Sequence, residues 1–155
     1  FTISESAIME GLNTVLWHGR NQMLQENPTV IFDVAHNAEG MRCFLDYYKS
    51  LKIPGESTLV LALYLRKHIQ DIVPQLKNIF KRIICTETKG RNPMPAEILG
   101  AYFKPCHSIK IIKNSQAAIY DGLKDIPEDG GMAILGTHCL GPAVNKVFKI
   151  SFDSL

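Results

Sequence analysis

Asp33-Val34-Ala35-His36-Asn37 sets a carboxylate, an imidazole and a carboxamide within one short turn of chain. The turn follows Thr29–Asp33 (TVIFD), a buried-strand pattern, and precedes a stretch with helical periodicity. A strand-to-helix turn also presents backbone N–H groups, which attract anions. Asp33 and Asn37 have a plainer use as turn and helix-cap residues. Three other segments could join this one. Trp17-His18-Gly19-Arg20 puts a guanidinium beside a glycine turn, thirteen residues before Asp33. Gly136-Thr137-His138 offers a hydroxyl and an imidazole after an apolar run, with glycine allowing close backbone approach. Arg66-Lys67-His68 is a basic triplet that, taken alone, is most simply a solvated loop.

Other chemistries lack their signatures. No GxGxxG follows a strand, no GxxxxGK[ST] phosphate loop occurs, and no GxSxG elbow accompanies the serines. His36 and His138 have no Cys or His at ligand spacing, so no metal is expected to be held by this chain alone. Cys43, Cys85, Cys106 and Cys139 lie 42, 21 and 33 residues apart, which fits neither a zinc site nor a compact disulfide framework. A reduced, cytoplasmic protein is expected, with Cys43 and Cys85 as small buried residues.

These candidate residues need elements to hold them, and strands alternate with helices along the chain. After the apolar run Val15–Trp17 come strands at Thr29–Asp33, Ser57–Leu63, Arg82–Thr86, Ser108–Ile112 and Gly131–Gly136. A helix over Ala38–Lys52 is capped by Asn37 and turns Met41, Phe44, Leu45, Tyr48 and Leu51 to one side. Further helices fall at Ile69–Phe80, Pro95–Phe103, from Asn114 or Ser115 to Asp125, and from Gly141 to Phe148. Pro74 requires the first of these to start close to Asp71. Helical crossovers between apolar strands predict a doubly wound α/β fold of Rossmann-like type. Its sheet would be mainly parallel and covered on both faces, with a short first strand antiparallel at the edge. Ligands of such sheets bind outside the carboxyl ends of the strands, where the candidate turns lie.

The composition bounds the rest. With 155 residues, 46% of them apolar, the chain can bury the core of one domain over 1–155. Lys and Arg number 17 against 15 Asp and Glu, a net charge of +2 that gives no footprint for nucleic acid or an acidic membrane. The longest apolar runs, such as Leu59–Leu63 and Met132–Leu135, are strand-sized and too short to span a bilayer. Phe1 is no initiator methionine and no signal peptide follows it, so the chain is expected to be a piece of a longer protein.

Jointly, the segments Ala7-Ile8-Met9-Glu10-Gly11-Leu12, Trp17-His18-Gly19-Arg20 and Asp33-Val34-Ala35-His36-Asn37-Ala38-Glu39-Gly40 resemble the C-terminal domain of folylpolyglutamate and dihydrofolate synthases. Those enzymes belong to the Mur ligase superfamily. The resemblance implies a further N-terminal ATPase domain of the same polypeptide, on which this domain closes. It also implies ATP-dependent addition of glutamate to a folate or dihydropteroate carboxyl through an acyl phosphate, with magnesium. In that scheme Arg20 contacts the ATP phosphates and Asp33 holds the nucleotide at its ribose. His36 helps position glutamate or the reacting centre, Thr137 binds glutamate, and Asn37, Lys67 and His138 are supporting candidates. The isolated domain would then be inactive. Departures from the family pattern are His18 and Ala38 for proline, Val34 for glycine, and Cys139 for a frequent tyrosine. Arg66-Lys67-His68 stands where Asp-Lys-Asp is common. Val34 is the sharpest of these, because a β-branched residue cannot follow glycine to positive φ. Two alternatives stand beside this reading: a cyanophycin or cell-wall peptide ligase domain, and a stand-alone nucleotide- or amino-acid-binding module without catalysis.

Overall fold

Asn37 opens the helix after the first buried strand by local chemistry. Its side chain accepts the Gly40 N–H at 2.8 Å, and Glu39 sits in the first turn. Asn114 does the same for a later helix, accepting the Ala117 N–H at 2.9 Å. In the computed structural model, which describes residues 2–15, 17–65, 69–90, 92–105 and 108–150, these caps set the helix-strand alternation. The elements are α1 (Glu5–Thr14), β1 (Gln22–Gln25), β2 (Thr29–Asp33), α2 (Ala38–Ser50), β3 (Ser57–Leu61) and α3 (Val73–Ile79). They continue with β4 (Arg82–Glu87), α4 (Ala96–Ala101), β5 (Ile109–Asn114), α5 (Ser115–Lys124), β6 (Gly131–Leu135) and α6 (Gly141–Phe148). Lys67 and its two neighbours lie outside the described residues, as does Cys106.

The strands form one sheet in the order β1-β2-β6-β3-β4-β5, parallel except for β1 against β2. The last crossover carries β6 back between β2 and β3, so the ends of β2 and β6 are neighbours although Asp33 and Leu135 are far apart in sequence. Both faces are covered. On one, α2, α3 and α4 bury Phe44, Leu45, Leu76 and Leu99 against Ile31, Leu59 and Ala133; on the other, α5 and α6 bury Ile119 and Val144 against Phe32, Val60 and Ile134. Alternate residues of each central strand therefore feed alternate cores, which explains apolar runs without polar gaps. Arg82 pairs with Asp121, and with Asp125 at 3.3 Å, tying α5 to β4.

Three local expectations are revised. The edge strand is Gln22–Gln25, not the apolar run before Gly19; it pairs Gln22 with Phe32 and Met23 with Ile31, then slips register. Its half-exposed QMLQ pattern reflects what it pairs with, not its own composition. Residues 5–14 form a helix in addition to those expected from the apolar periodicity. Cys43 is exposed, because the helical period that buries Met41, Phe44 and Leu45 turns position 43 outward. Cys85 is buried on β4, and burial pushes its thiol up to about 12. Alkylation of the folded chain at mildly alkaline pH, mapped by mass spectrometry, should therefore label Cys43 and spare Cys85. Equal labelling would mean that β4 opens on the timescale of the reaction.

Candidate functional site

The two segments that stood out most in the sequence meet at the carboxyl end of β2. Val34 N–H donates to the Gly19 carbonyl at 2.9 Å, and Asn21 N–H donates to Asp33 Oδ2 at 2.8 Å. Asp33 Oδ1 accepts the Ala35 N–H at 2.7 Å, closing the turn into α2. The carboxylate is only 4% exposed. It thus joins the Gly19–Asn21 turn to the β2–α2 turn and orders the loop that carries Arg20. Arg20 itself is exposed and has no ion-pair partner among the described residues, so its guanidinium is available to an outside anion.

Gly19 fits this junction for two reasons. Its φ is +72, and a Cβ there would lie 2.7 Å from Val34 Cγ1. Val34, in contrast, costs no backbone strain. The positive-φ non-glycine residues among those described are Asn21, Lys52, Asn92 and Lys149. Valine in place of the family's glycine therefore changes the lining of the site and not its backbone.

His36 is half-buried, with Nδ1 3.0 Å from the Val34 carbonyl. A carbonyl only accepts, so Nδ1 carries the hydrogen, and in the neutral imidazole Nε2 is left as an acceptor. Asn37 is occupied as the cap of α2, a structural duty that leaves its carboxamide nitrogen for other contacts.

At the end of β6, Gly136 N–H donates to the Asp33 carbonyl at 3.2 Å, with φ +118. This brings the Thr137–His138 turn beside the β2–α2 turn. Thr137 is 1% exposed, and its hydroxyl accepts the Cys139 N–H at 3.2 Å, capping a short 3-10 turn over His138–Leu140. Tyr64 hydroxyl lies 2.6 Å from Cys139 Sγ, a contact that raises the phenol's pKa. His138 is exposed.

Between the Gly19 turn and the start of α6 is a cavity of about 450 Å³, lined by His18, Phe32, Val34, His138, Pro142 and Asn145. An apolar floor with imidazoles and a carboxamide at its sides suits a flat, partly polar group. Phe32, Pro142 and Asn145 were missed from sequence. Phe32 reads there as a core residue, and nothing local announces that α6 returns beside β2. Among the described residues no three His, Cys, Asp or Glu side chains come together as metal ligands, and no helix is long and apolar enough to cross a membrane.

Comparison with known proteins agrees with this geometry. Residues 19–137 match the family model described as Mur ligase, glutamate ligase domain. A dihydrofolate synthase/folylpolyglutamate synthase of Escherichia coli is 32% identical over 97 residues, covering 63% of this chain and 23% of that protein. One from Buchnera aphidicola is 26% identical over 145 residues, covering 93% of this chain and 34% of the relative. Among solved structures, a bifunctional enzyme of the same description from Yersinia pestis, complexed with AMPPNP and Mn, superimposes with a TM-score of 0.85 at 21% identity. It covers 97% of this chain and 36% of its own. E. coli FolC in complex with DHPP and ADP gives 0.84 at 24% identity, covering 95% and 35%. The chain thus spans between 23% and 36% of the length of these proteins. From the Gly19 turn through the strand ends to Thr137, fold and sequence agree, and the chain belongs to the Mur ligase family as its glutamate ligase domain.

Proposed function

We propose that this domain is one half of an ATP-dependent amide ligase that adds glutamate to a folate or dihydropteroate carboxyl. The observation that carries the proposal is the junction at Asp33. One buried carboxylate orders the turn bearing an unpaired guanidinium, beside the turn bearing His36. The reaction has two steps. The acceptor carboxylate takes the γ-phosphoryl group of ATP, releasing ADP; the glutamate amine then attacks the acyl carbon, forming the amide and expelling phosphate. Negative charge builds up on phosphoryl oxygens in the first step, and Arg20 opposes it without any proton transfer. Asp33 acts first through the loop it orders, and its remaining lone pairs suit ribose hydroxyls. Glutamate would lie between His36 and the Thr137–His138 turn, where His36 Nε2 can accept a hydrogen from the incoming amine. Thr137, being turned inward, contributes by shaping that turn. Asn37 and His138 stand beside the same ends of β2 and β6 as support.

Magnesium belongs to this chemistry as the counterion of ATP, yet the described residues do not build a ligand set for it. ATP phosphates, metal and most of the acceptor are assigned to the remaining part of the polypeptide, an N-terminal ATPase domain. Closing one domain on the other would supply the positioning on which such a two-substrate reaction depends.

The test is a ligation assay of the full-length protein with glutamate and ATP against dihydropteroate and tetrahydrofolate, read as ADP release and product mass. Glutamate-dependent ADP release with at least one acceptor is expected, and none from the chain 1–155 alone. Nucleotide or glutamate binding without ADP release would favour the non-catalytic binding module. Ligation only to a peptide acceptor would favour a peptide ligase.

A further inference from the structure

Tyr64 stands where the exits of three strands meet. It follows β3, and its backbone is held across to the segment after β4. Leu65 N–H donates to the Asn92 carbonyl at 2.9 Å and Met94 N–H to the Leu63 carbonyl at 2.8 Å, with Tyr64 opposite Pro93 in an antiparallel bridge. The phenol hydroxyl lies 2.6 Å from Cys139 Sγ, in the turn after β6. Gly90 covers that contact closely: a Cβ there would stand 3.2 Å from the Tyr64 hydroxyl and 3.4 Å from Cys139 Sγ. The turn itself has a cavity on either side. His138 lines the one beside Gly19, and Cys139 lines another of about 230 Å³ with Lys89, Ser115 and Lys146. Positions 138 and 139 thus have little packing to hold them, and hydrogen bonds at the ends of the turn must do so.

We infer that Tyr64 is a positioning residue for glutamate, its hydroxyl fastening the far end of the Thr137–His138 turn. The inference rests on the proposed function, which sets glutamate between that turn and His36. The near end is fastened by backbone, through the Gly136 N–H that donates to the Asp33 carbonyl at 3.2 Å. At the far end the backbone bonds are internal. Cys139 N–H donates to Thr137 Oγ1 at 3.2 Å and Leu140 N–H to the Thr137 carbonyl at 3.1 Å, which shape the turn without tying it to a neighbouring strand. The contact of Tyr64 with Cys139, across 75 residues, supplies that tie. A phenol has few torsions to freeze, and backbone bonds on both sides of Tyr64 already aim it, so the tie costs little entropy. Cys139, a departure from the family pattern, gains a role here. Its side chain is small enough to leave the space that the Tyr64 phenol takes. Tyr64 meets neither ATP nor the acceptor in this scheme, so its hydroxyl acts through glutamate alone.

Steady-state kinetics and hydrogen exchange on the full-length protein test this. Tyr64→Phe, which removes only the hydroxyl, should raise KM for glutamate about 10-fold while kcat and KM for ATP stay within about 2-fold. Cys139→Ala should do the same, and the double variant no more than either. Cys139→Ser, whose hydroxyl can still bond the phenol, should keep the parent's KM. A merely structural tyrosine would instead lower Tm and move all the constants together; Tm of Tyr64→Phe should stay within about 2 °C of the parent. Without substrates, the Cys139 and Leu140 amides of Tyr64→Phe should exchange on the order of 10-fold faster, and those of β2 and β6 at the parent's rate. An unchanged KM for glutamate in the active enzyme would overturn the inference, as would unchanged exchange of those two amides. So would additive effects of Tyr64→Phe and Cys139→Ala. A parent that ligates no glutamate would sink the proposed function, while the exchange rates would still decide whether Tyr64 holds the turn.

Discussion

Arg20→Ala in the full-length protein should lower kcat/KM for glutamate ligation by on the order of 100-fold, equivalent to about 3 kcal/mol of transition-state stabilisation. The size follows from where the side chain is. Arg20 is exposed and unpaired by any described carboxylate, so its charge is not already spent inside the fold. The turn that carries it is fixed at three points. Arg20 N–H donates to the Trp17 carbonyl at 3.1 Å, Val34 N–H to the Gly19 carbonyl, and Asn21 N–H to Asp33. A guanidinium on a turn held this way loses little freedom on meeting a phosphoryl group, which is the condition for electrostatic stabilisation to act on rate. Arg20→Lys keeps the charge but not the two-pronged geometry, and should recover only part of the loss. Asp33→Ala should be costly alone and much less so in the Arg20→Ala background, because the carboxylate acts largely through the loop. Full additivity in that double-mutant cycle would assign Asp33 a separate contact, such as the ribose. An unchanged rate for Arg20→Ala would remove the residue from the site. Thermal unfolding of Arg20→Ala should be unaltered, since an exposed side chain with no described ion pair carries little stability.

The largest effect on stability is expected at Gly136. Its φ of +118 lies where side chains are rarely tolerated, and a Cβ would come 2.2 Å from the Ala62 carbonyl oxygen. That oxygen is backbone, on the exit of β3, where Ala62 N–H donates to the Leu135 carbonyl at 3.2 Å. Neither side can yield without breaking the contact between β6 and β3. Gly136→Ala should therefore cost at least about 3 to 4 kcal/mol, combining backbone strain with steric displacement. For a domain of this size that is a fall in Tm on the order of 10 °C. The damage reaches the site, because Gly136 N–H also holds the Asp33 carbonyl. Gly11→Ala is the control. Nothing lies within 4 Å of a Cβ there, and alanine in a helix is favoured by up to about 1 kcal/mol. A Gly136→Ala protein melting with the parent would show that the strand ends are looser than this geometry requires.

How much of this was legible beforehand depends on whether the signal was local. Asn37 and Asn114 announce α2 and α5 because a capping side chain bonds N–H groups three residues on, within its own segment. The central strands were legible because burial on both faces demands apolar residues throughout. β1 was not, since QMLQ pairs at an edge with one partner and keeps no period of its own. The helix α1 carries an apolar stripe, yet none of its residues is buried and neither core of this domain includes it. Asn145 and Pro142 were invisible as site residues, for their place beside Phe32 depends on α6 packing back across the sheet.

The glycine departure at Val34 shows the same division. The family pattern has glycine there, which implies a backbone that valine could not follow; the fold shows that position 34 needs no positive φ, while Gly19 beside it does. By itself, the order of residues determined the alternation of strands and helices, the parallel sheet, and the segments worth suspecting, because caps, periods and apolar runs act over a few residues. The tertiary structure decided which of those segments touch. Asp33 reaches Asn21 across twelve residues, and Gly136 reaches Asp33 across more than a hundred, through single N–H groups. Such bonds leave no mark in local composition. The first exists because β1 folds back antiparallel on β2, the second because β6 inserts between β2 and β3, and that insertion makes one site from the ends of strands distant in sequence.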